Sequence, residues 1–315
     1  MHLQMPQTSA SGLIPEVLVF AQPYILTMDY DAFFHHLRST CADTVEGYRA
    51  RYPNASPLTE RSRDVFDGPL ASEADLFERF TELTRFYDDL LDVDSTPYRD
   101  TWREHLVYDC SLQERLALLT SDLPTSLSLV SVQARYSGRT GRIGVSPGQL
   151  PEATAYDYLA SELCHAYQHR FSSPTWTHPY LQEGFEQAAS VRAQEHLAAE
   201  RQHNELTHYA RRQRTKTLLE GVLAHGTRRG GIEPEALHEL GVTEDELVAF
   251  QAHPLKRPLG YLRPRYRWSD IAFLPEYALF GSLLIVSEAV GVSDTYARAF
   301  HGDHPWTTVI DEITA

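Results

Sequence analysis

Apolar positions recur at three- and four-residue steps through much of the chain. Phe33, Leu37, Cys41, Val45 and Tyr48 form one stripe; Leu76, Phe80, Leu83, Phe86 and Leu90 form a second, after the N-cap candidate Ser72. Each predicts an amphipathic helix, and Trp102, Leu106, Leu112, Leu116 and Leu119 predict a third. The period changes after Asp122-Leu123-Pro124: Leu127 to Val132 and Gly141 to Ser146 read as short strands, the second behind a turn at Ser137-Gly138. A helix follows from Pro151 to Phe171, with Leu159, Leu163, Ala166 and Tyr167 on its buried side and Ser172-Ser173-Pro174 as its stop. Another helix is predicted from Leu181 to Leu223, then a loop at 226–231 and a helix from Pro234 to Phe250. After a Pro- and Arg-rich connection from His253 to Trp268 come an apolar helix, Tyr277 to Val290, and a short terminal one. The fold class is therefore α+β, mostly α, with a helical N-terminal region at 1–120 and a second domain at 121–315.

Length and composition suit a folded, soluble protein: 315 residues, 42% hydrophobic and 23% charged. The formal charge of −15 argues against a polyanion, so nucleic acid is not the expected partner. Leu13 to Leu26 is fairly apolar, but Pro15, Glu16 and Pro23 break it, and it is too short for a bilayer; no membrane role is expected. The three cysteines, Cys41, Cys110 and Cys164, form no CxxC pair, which suggests a reducing cytoplasm.

The chemistry concentrates in Ser161-Glu162-Leu163-Cys164-His165-Ala166-Tyr167-Gln168-His169. In a HExxH helix two histidines at i and i+4 reach one metal, and the glutamate at i+1 reaches the attacking water. Glu162 and His165 stand at the second and fifth positions of that pattern; Ser161 stands at the first. Glu-x-x-His alone is weak, since it recurs at Glu205/His208 and Glu235/His238.

SELCHAYQ, from Ser161 to Gln168, nonetheless resembles the HELxHxxQ helix of the gluzincin (peptidase MA-like) zinc metallopeptidases. Pro179-Tyr180-Leu181-Gln182-Glu183-Gly184-Phe185, whose Glu183 is separated from His165 by 17 residues, resembles the segment that carries their third ligand. Tyr277 to Gly281, with Glu288 to Gly291 behind it, looks like the helix closing their C-terminal subdomain. The resemblance covers about residues 125 to 315. It implies a zincin-like domain: a small sheet whose edge strand, near Ile143, holds an extended peptide, an active-site helix, and a helical C-terminal subdomain. It further implies Glu162 as general base, His165 and Glu183 as metal ligands, and Ile143 and Tyr277 as substrate-binding positions, with Tyr261 and Tyr266 as other candidates to stabilise an oxyanion.

Ser161 governs the function. A hydroxyl cannot replace an imidazole at about 2.0–2.1 Å from zinc without moving the backbone. Zinc is then expected to be weak or absent, and the chain reads as a pseudopeptidase that binds peptide or protein. One alternative is an active zinc peptidase with an unusual ligand set. His165 and His169 are themselves i and i+4 and could join Glu183, although Ala166 would then occupy the base position. Cys164 points away from His165 and is expected to be a buried hydrophobe. The other alternative is a metal-free, α-rich interaction or nucleic-acid-associated protein using the basic segment 256–267, where Lys256, Arg257, Arg263, Arg265 and Arg267 lie among aromatics.

Overall fold

The computed structural model describes residues 30–58, 71–104, 106–108, 134–137, 141–145, 151–172, 179–202, 204–228, 238–243, 245–246 and 274–302. The basic segment 256–267, the predicted strand 127–132 and the apolar stretch 13–26 lie outside them.

The first two helices form where the apolar stripes predict. In α1 (Tyr30–Arg51) Phe33, Leu37, Cys41, Val45 and Tyr48 are all buried. The second, α2 (Glu73–Leu91), starts at Ser72, whose hydroxyl accepts from the Asp75 N–H at 3.1 Å and satisfies a first-turn donor. Its buried side rotates from the expected one: Tyr87 and Leu91 are in the core, while Phe86 and Leu90 are half-buried. The Tyr87 hydroxyl donates to the Ala160 carbonyl at 2.9 Å, which lets a polar ring be buried without an orphaned group. The stripe expected to make a third helix is split: α3 (Thr96–Glu104) carries Trp102, which is buried, Leu106 belongs to strand β1 (Leu106–Tyr108), and Leu112, Leu116 and Leu119 lie outside the described residues. The four-residue step from Trp102 to Leu106 imitates a helix, but Leu106-Val107-Tyr108 has the branched and aromatic content of a strand.

The sheet has the order β1–β3–β2, with β2 at Ala134–Ser137 and β3 at Arg142–Val145. β3 pairs parallel to β1, with Leu106 opposite Ile143, and antiparallel to β2, with Tyr136 opposite Ile143. Ile143 is therefore on the central strand, with its side chain fully buried, and not on an edge as expected. Among the described residues the edge beside the next helix is β2.

That helix, α4 (Glu152–Phe171), packs on β2, β3 and α2 and buries Leu159, Leu163, Ala166 and Tyr167 as predicted. The single long helix expected from Leu181 is two, α5 (Pro179–Arg201) and α6 (Asn204–Arg228). Gln202 takes a left-handed φ of 52° between them, and α6 folds back along α5. No Gly or Pro marks this turn, so the pattern could not show it. α6 runs into the expected 226–231 loop, to Arg228, and the Pro234–Phe250 helix is interrupted at Gly241, where φ is 67°.

The apolar α7 (Leu274–Ala289) lies against α5 and α6, and α8 (Thr295–His301) against α2 and α7. One continuous core runs from Phe33 through Ile143 and Phe185 to Phe300, so α7 joins the same core as the N-terminal helices. The expected division at residue 120 lies outside the described residues; the chain on either side of it shares this core and, through β1, the sheet.

α7 approaches α5 closely at Gly281. A Cβ there would sit 3.0 Å from the Gly184 carbonyl oxygen and 3.3 Å from Thr217 Cγ2. Gly281→Ala is expected to destabilise the protein by about 1–3 kcal/mol through overpacking. Gly47→Ala, on α1 with nothing within 4 Å, is expected to stabilise it by about 0.5–1 kcal/mol. Urea unfolding of the two variants checks the contrast.

Candidate functional site

The site is built where α4 passes the first turns of α5 and the outer edge of β2. α4 buries its apolar face against the sheet and α2, which leaves Glu162 and His165 half-buried toward α5. Gln168, on the same helix, is buried and joins the two helices: its Nε2 donates to the Gln182 carbonyl at 2.7 Å. A carbonyl can only accept, so the amide oxygen faces His165, whose Nδ1 lies 2.9 Å from it. His165 must therefore carry its proton on Nδ1. Its Nε2 faces Glu183, at 3.8 Å from Oε1.

Glu183 does not stand alone. Glu186, one turn along α5, brings its carboxylate to the same place, and one ligand atom from each of His165, Glu183 and Glu186 lies within 4.8 Å of the others. The Ser190 hydroxyl donates to Glu186 Oε1 at 2.9 Å and orients it. Sequence reasoning missed Glu186, although a signal was present: Glu183 and Glu186 are i and i+3, which puts both carboxylates on one helix face.

Glu162 accepts a hydrogen bond from the Tyr136 N–H of β2. Burial raises its pKa to about 7; His165 and the Tyr136 N–H oppose the shift, while Glu186 and Glu183 add to it. For His165, burial alone would lower the pKa, but the carboxylates of Glu186, Glu162 and Glu183 outweigh it and hold the imidazole above its ordinary value.

The other expected site residues fall elsewhere. His169 is exposed and hydrogen-bonds the Tyr136 hydroxyl through Nδ1 at 3.1 Å, so the displaced His165/His169/Glu183 set does not form. Ile143, deep in the central strand, is unavailable to a substrate. Tyr277 lies on α7, but its side chain is outside the described part. Cys164 is fully buried, and burial pushes its thiol well above the usual range, as befits a core residue. The second Glu-x-x-His motif serves packing. His208 Nε2 meets the Tyr48 hydroxyl at 2.9 Å and its ring stacks on Tyr52 at 3.8 Å; burial first, then Arg212, lowers its pKa to about 4.

The metal set implied by a HExxH helix does not fit this chain, because Ser161 cannot be its first ligand. His165, Glu183 and Glu186 present one imidazole nitrogen and two carboxylates from two packed helices, a donor set that could hold a divalent cation.

A second carboxyl on α4 is also perturbed. Asp157 accepts from the Tyr209 hydroxyl at 2.6 Å and from the Gln194 amide. Burial is the main cause that raises its pKa to about 7; Tyr209 opposes the shift and Glu186 adds to it. Because its folded pKa lies above the unfolded 3.8, its contribution to stability is fully present below about pH 4 and is lost as pH rises through 7. Asp157→Asn keeps an acceptor for Tyr209 and removes this loss. The variant is expected to gain stability relative to wild type between pH 4 and 8, as measured by thermal unfolding across that range. An unchanging difference would contradict the assignment.

No family model matches the chain, and neither a curated protein nor a solved structure matches it. Among the described residues no helix is long and apolar enough to cross a membrane.

Proposed function

We propose that the chain is a zincin-like metallopeptidase homologue of gluzincin type, a peptide-directed protein whose metal site departs from the usual ligand set at Ser161. One observation carries this reading: Glu162 and His165 of α4 and Glu183 of α5, separated in sequence, meet in one place beside the outer strand of a small sheet.

The chemistry of each group suits that role. Among the described residues no strand lies on the outer side of β2, so its main-chain groups there, apart from the Tyr136 N–H that Glu162 takes, are placed to pair with an extended peptide or protein segment. Glu162, with a pKa of about 7, can take and return a proton near neutrality, but its carboxylate is docked on the Tyr136 N–H. His165 is fixed in the Nδ1–H tautomer by Gln168, which leaves Nε2 toward the carboxylates. A divalent cation held by His165 and its carboxylate partners would supply Lewis acidity for a peptide carbonyl. Hydrolysis is expected to be slow, because the base is engaged and the usual second histidine is missing.

The test is binding and cleavage of a library of unstructured peptides, read by fluorescence anisotropy and mass spectrometry. Peptide binding with slow cleavage that Glu162→Gln abolishes supports the assignment as a weakly active homologue. Peptide binding without cleavage supports a pseudopeptidase. Neither binding nor cleavage overturns both.

A further inference from the structure

We propose that Glu186 has taken over the ligand position lost at Ser161, so that His165, Glu183 and Glu186 together hold one divalent transition-metal ion such as Zn2+. The inference rests on His165 and Glu183 as a ligand pair, but not on any peptide chemistry.

Three observations support it. The donors come from two packed helices and already lie within 4.8 Å of one another. Around a four-coordinate zinc with bonds of about 2.1 Å, donors sit about 3.4 Å apart, so closing the set needs shifts of about 1 Å, which glutamate rotamers supply. Next, the supporting contacts match what metal ligands need. Buried Gln168 holds Nδ1–H of His165 and aims Nε2, and buried Ser190 holds Glu186. Finally, the charge is unbalanced: the carboxylates of Glu183 and Glu186 converge on a single imidazole. A bound cation relieves that repulsion.

The other donors nearby are accounted for. The Ser161 side chain is too short and neutral, His169 is held by Tyr136, and Cys164 is in the core. One nitrogen and two carboxylates, with no thiolate, suit Zn2+, Mn2+, Fe2+ or Co2+ and not Cu(I).

The test is calorimetric titration of the chelator-stripped, full-length protein with Zn2+, and with Co2+ read by its absorption bands. Wild type is expected to bind one ion per chain. Glu186→Gln should weaken binding by about a hundredfold or more, since loss of a supporting partner alone costs about 10–100-fold. Ser190→Ala should weaken it by about tenfold. Ser161→Ala and Glu200→Gln, the latter an exposed acid farther along α5, should leave affinity unchanged. Far-UV circular dichroism confirms that each variant is folded. If Glu186→Gln fails to fold, the wild-type His165 15N signals decide: Zn2+ should shift Nε2 and leave Nδ1 protonated. No Zn2+ binding by the wild type, no Nε2 shift, or equal affinity in wild type and Glu186→Gln overturns the assignment of Glu186, whatever the peptide assays give. Zinc bound through Glu186 by a protein that binds no peptide leaves the metal site standing and overturns the peptidase-type reading alone.

Discussion

Ser161→His is expected to raise Zn2+ affinity by two orders of magnitude or more over wild type, measured against a competing chelator. Ser161 is half-buried and lies one helical turn before His165, about 6 Å along the axis of α4, so the new imidazole projects from the same side of the helix. It restores a His-Glu-x-x-His sequence with Glu162 in its second position and meets Glu183 and Glu186 across the cleft. The gain follows from adding a strong nitrogen donor to groups that are already held in place. The double variant Ser161→His/Glu186→Gln separates the possible causes. If Glu186 substitutes for the missing histidine, the added imidazole should return zinc affinity to at least the wild-type level despite the lost carboxylate. Equal, negligible affinity in wild type and Ser161→His would reject the descent of this site from a zinc centre.

Phe185→Ala is expected to destabilise the fold by about 3–5 kcal/mol. Phe185 lies between Glu183 and Glu186 on α5 and points the other way, into the core. Its ring is fully buried, with centroids 5.7 Å from Phe300 and 6.1 Å from Tyr296. Because α8 closes over it with two aromatic rings, little can collapse into the space left behind, which places the cost toward the upper end of that range. Phe185→Leu retains much of the volume and should cost less than half as much. Guanidinium unfolding gives both values, and a loss below about 1 kcal/mol for Phe185→Ala would show that the ring does not anchor α5.

Residues that face one way along a single helix were legible in the sequence. The buried stripes of α1 and α4 and the pairing of Glu162 with His165 follow from a 3.6-residue period, and the Ser72 cap from a hydroxyl residue placed just before the first turn of α2. Glu183 was legible only through its flanking residues. Features set by tertiary context were not. Gln202 adopts a left-handed turn without glycine, so two helices read as one. Leu106 continues the helical spacing from Trp102, yet β3 recruits it into the sheet. Ile143 looked like an edge because strand order is not written in strand sequence, and β1, from far upstream, covers one side of β3. Glu186 was less legible for another reason: it fills no position of the HExxH pattern, and an acidic residue on a charged helix stands out only where His165 lies beside it.

The parallel pairing of β1 with β3 also sets the order of events during synthesis. β3 begins 34 residues after β1 ends, with β2 between them in the chain, so β1 leaves the ribosome well before its partner exists. At about 5–20 residues per second the wait is about 2–7 s, long compared with the microseconds in which helices such as α1 and α2 form. The sheet is therefore assembled only once β3 has emerged, and the Tyr136 N–H docks Glu162 later still, when α4, the helix that β2 and β3 pack on, has followed them. A chain lacking the residues up to 108 would emerge with one side of β3 bare, an exposed strand edge open to pairing with another chain.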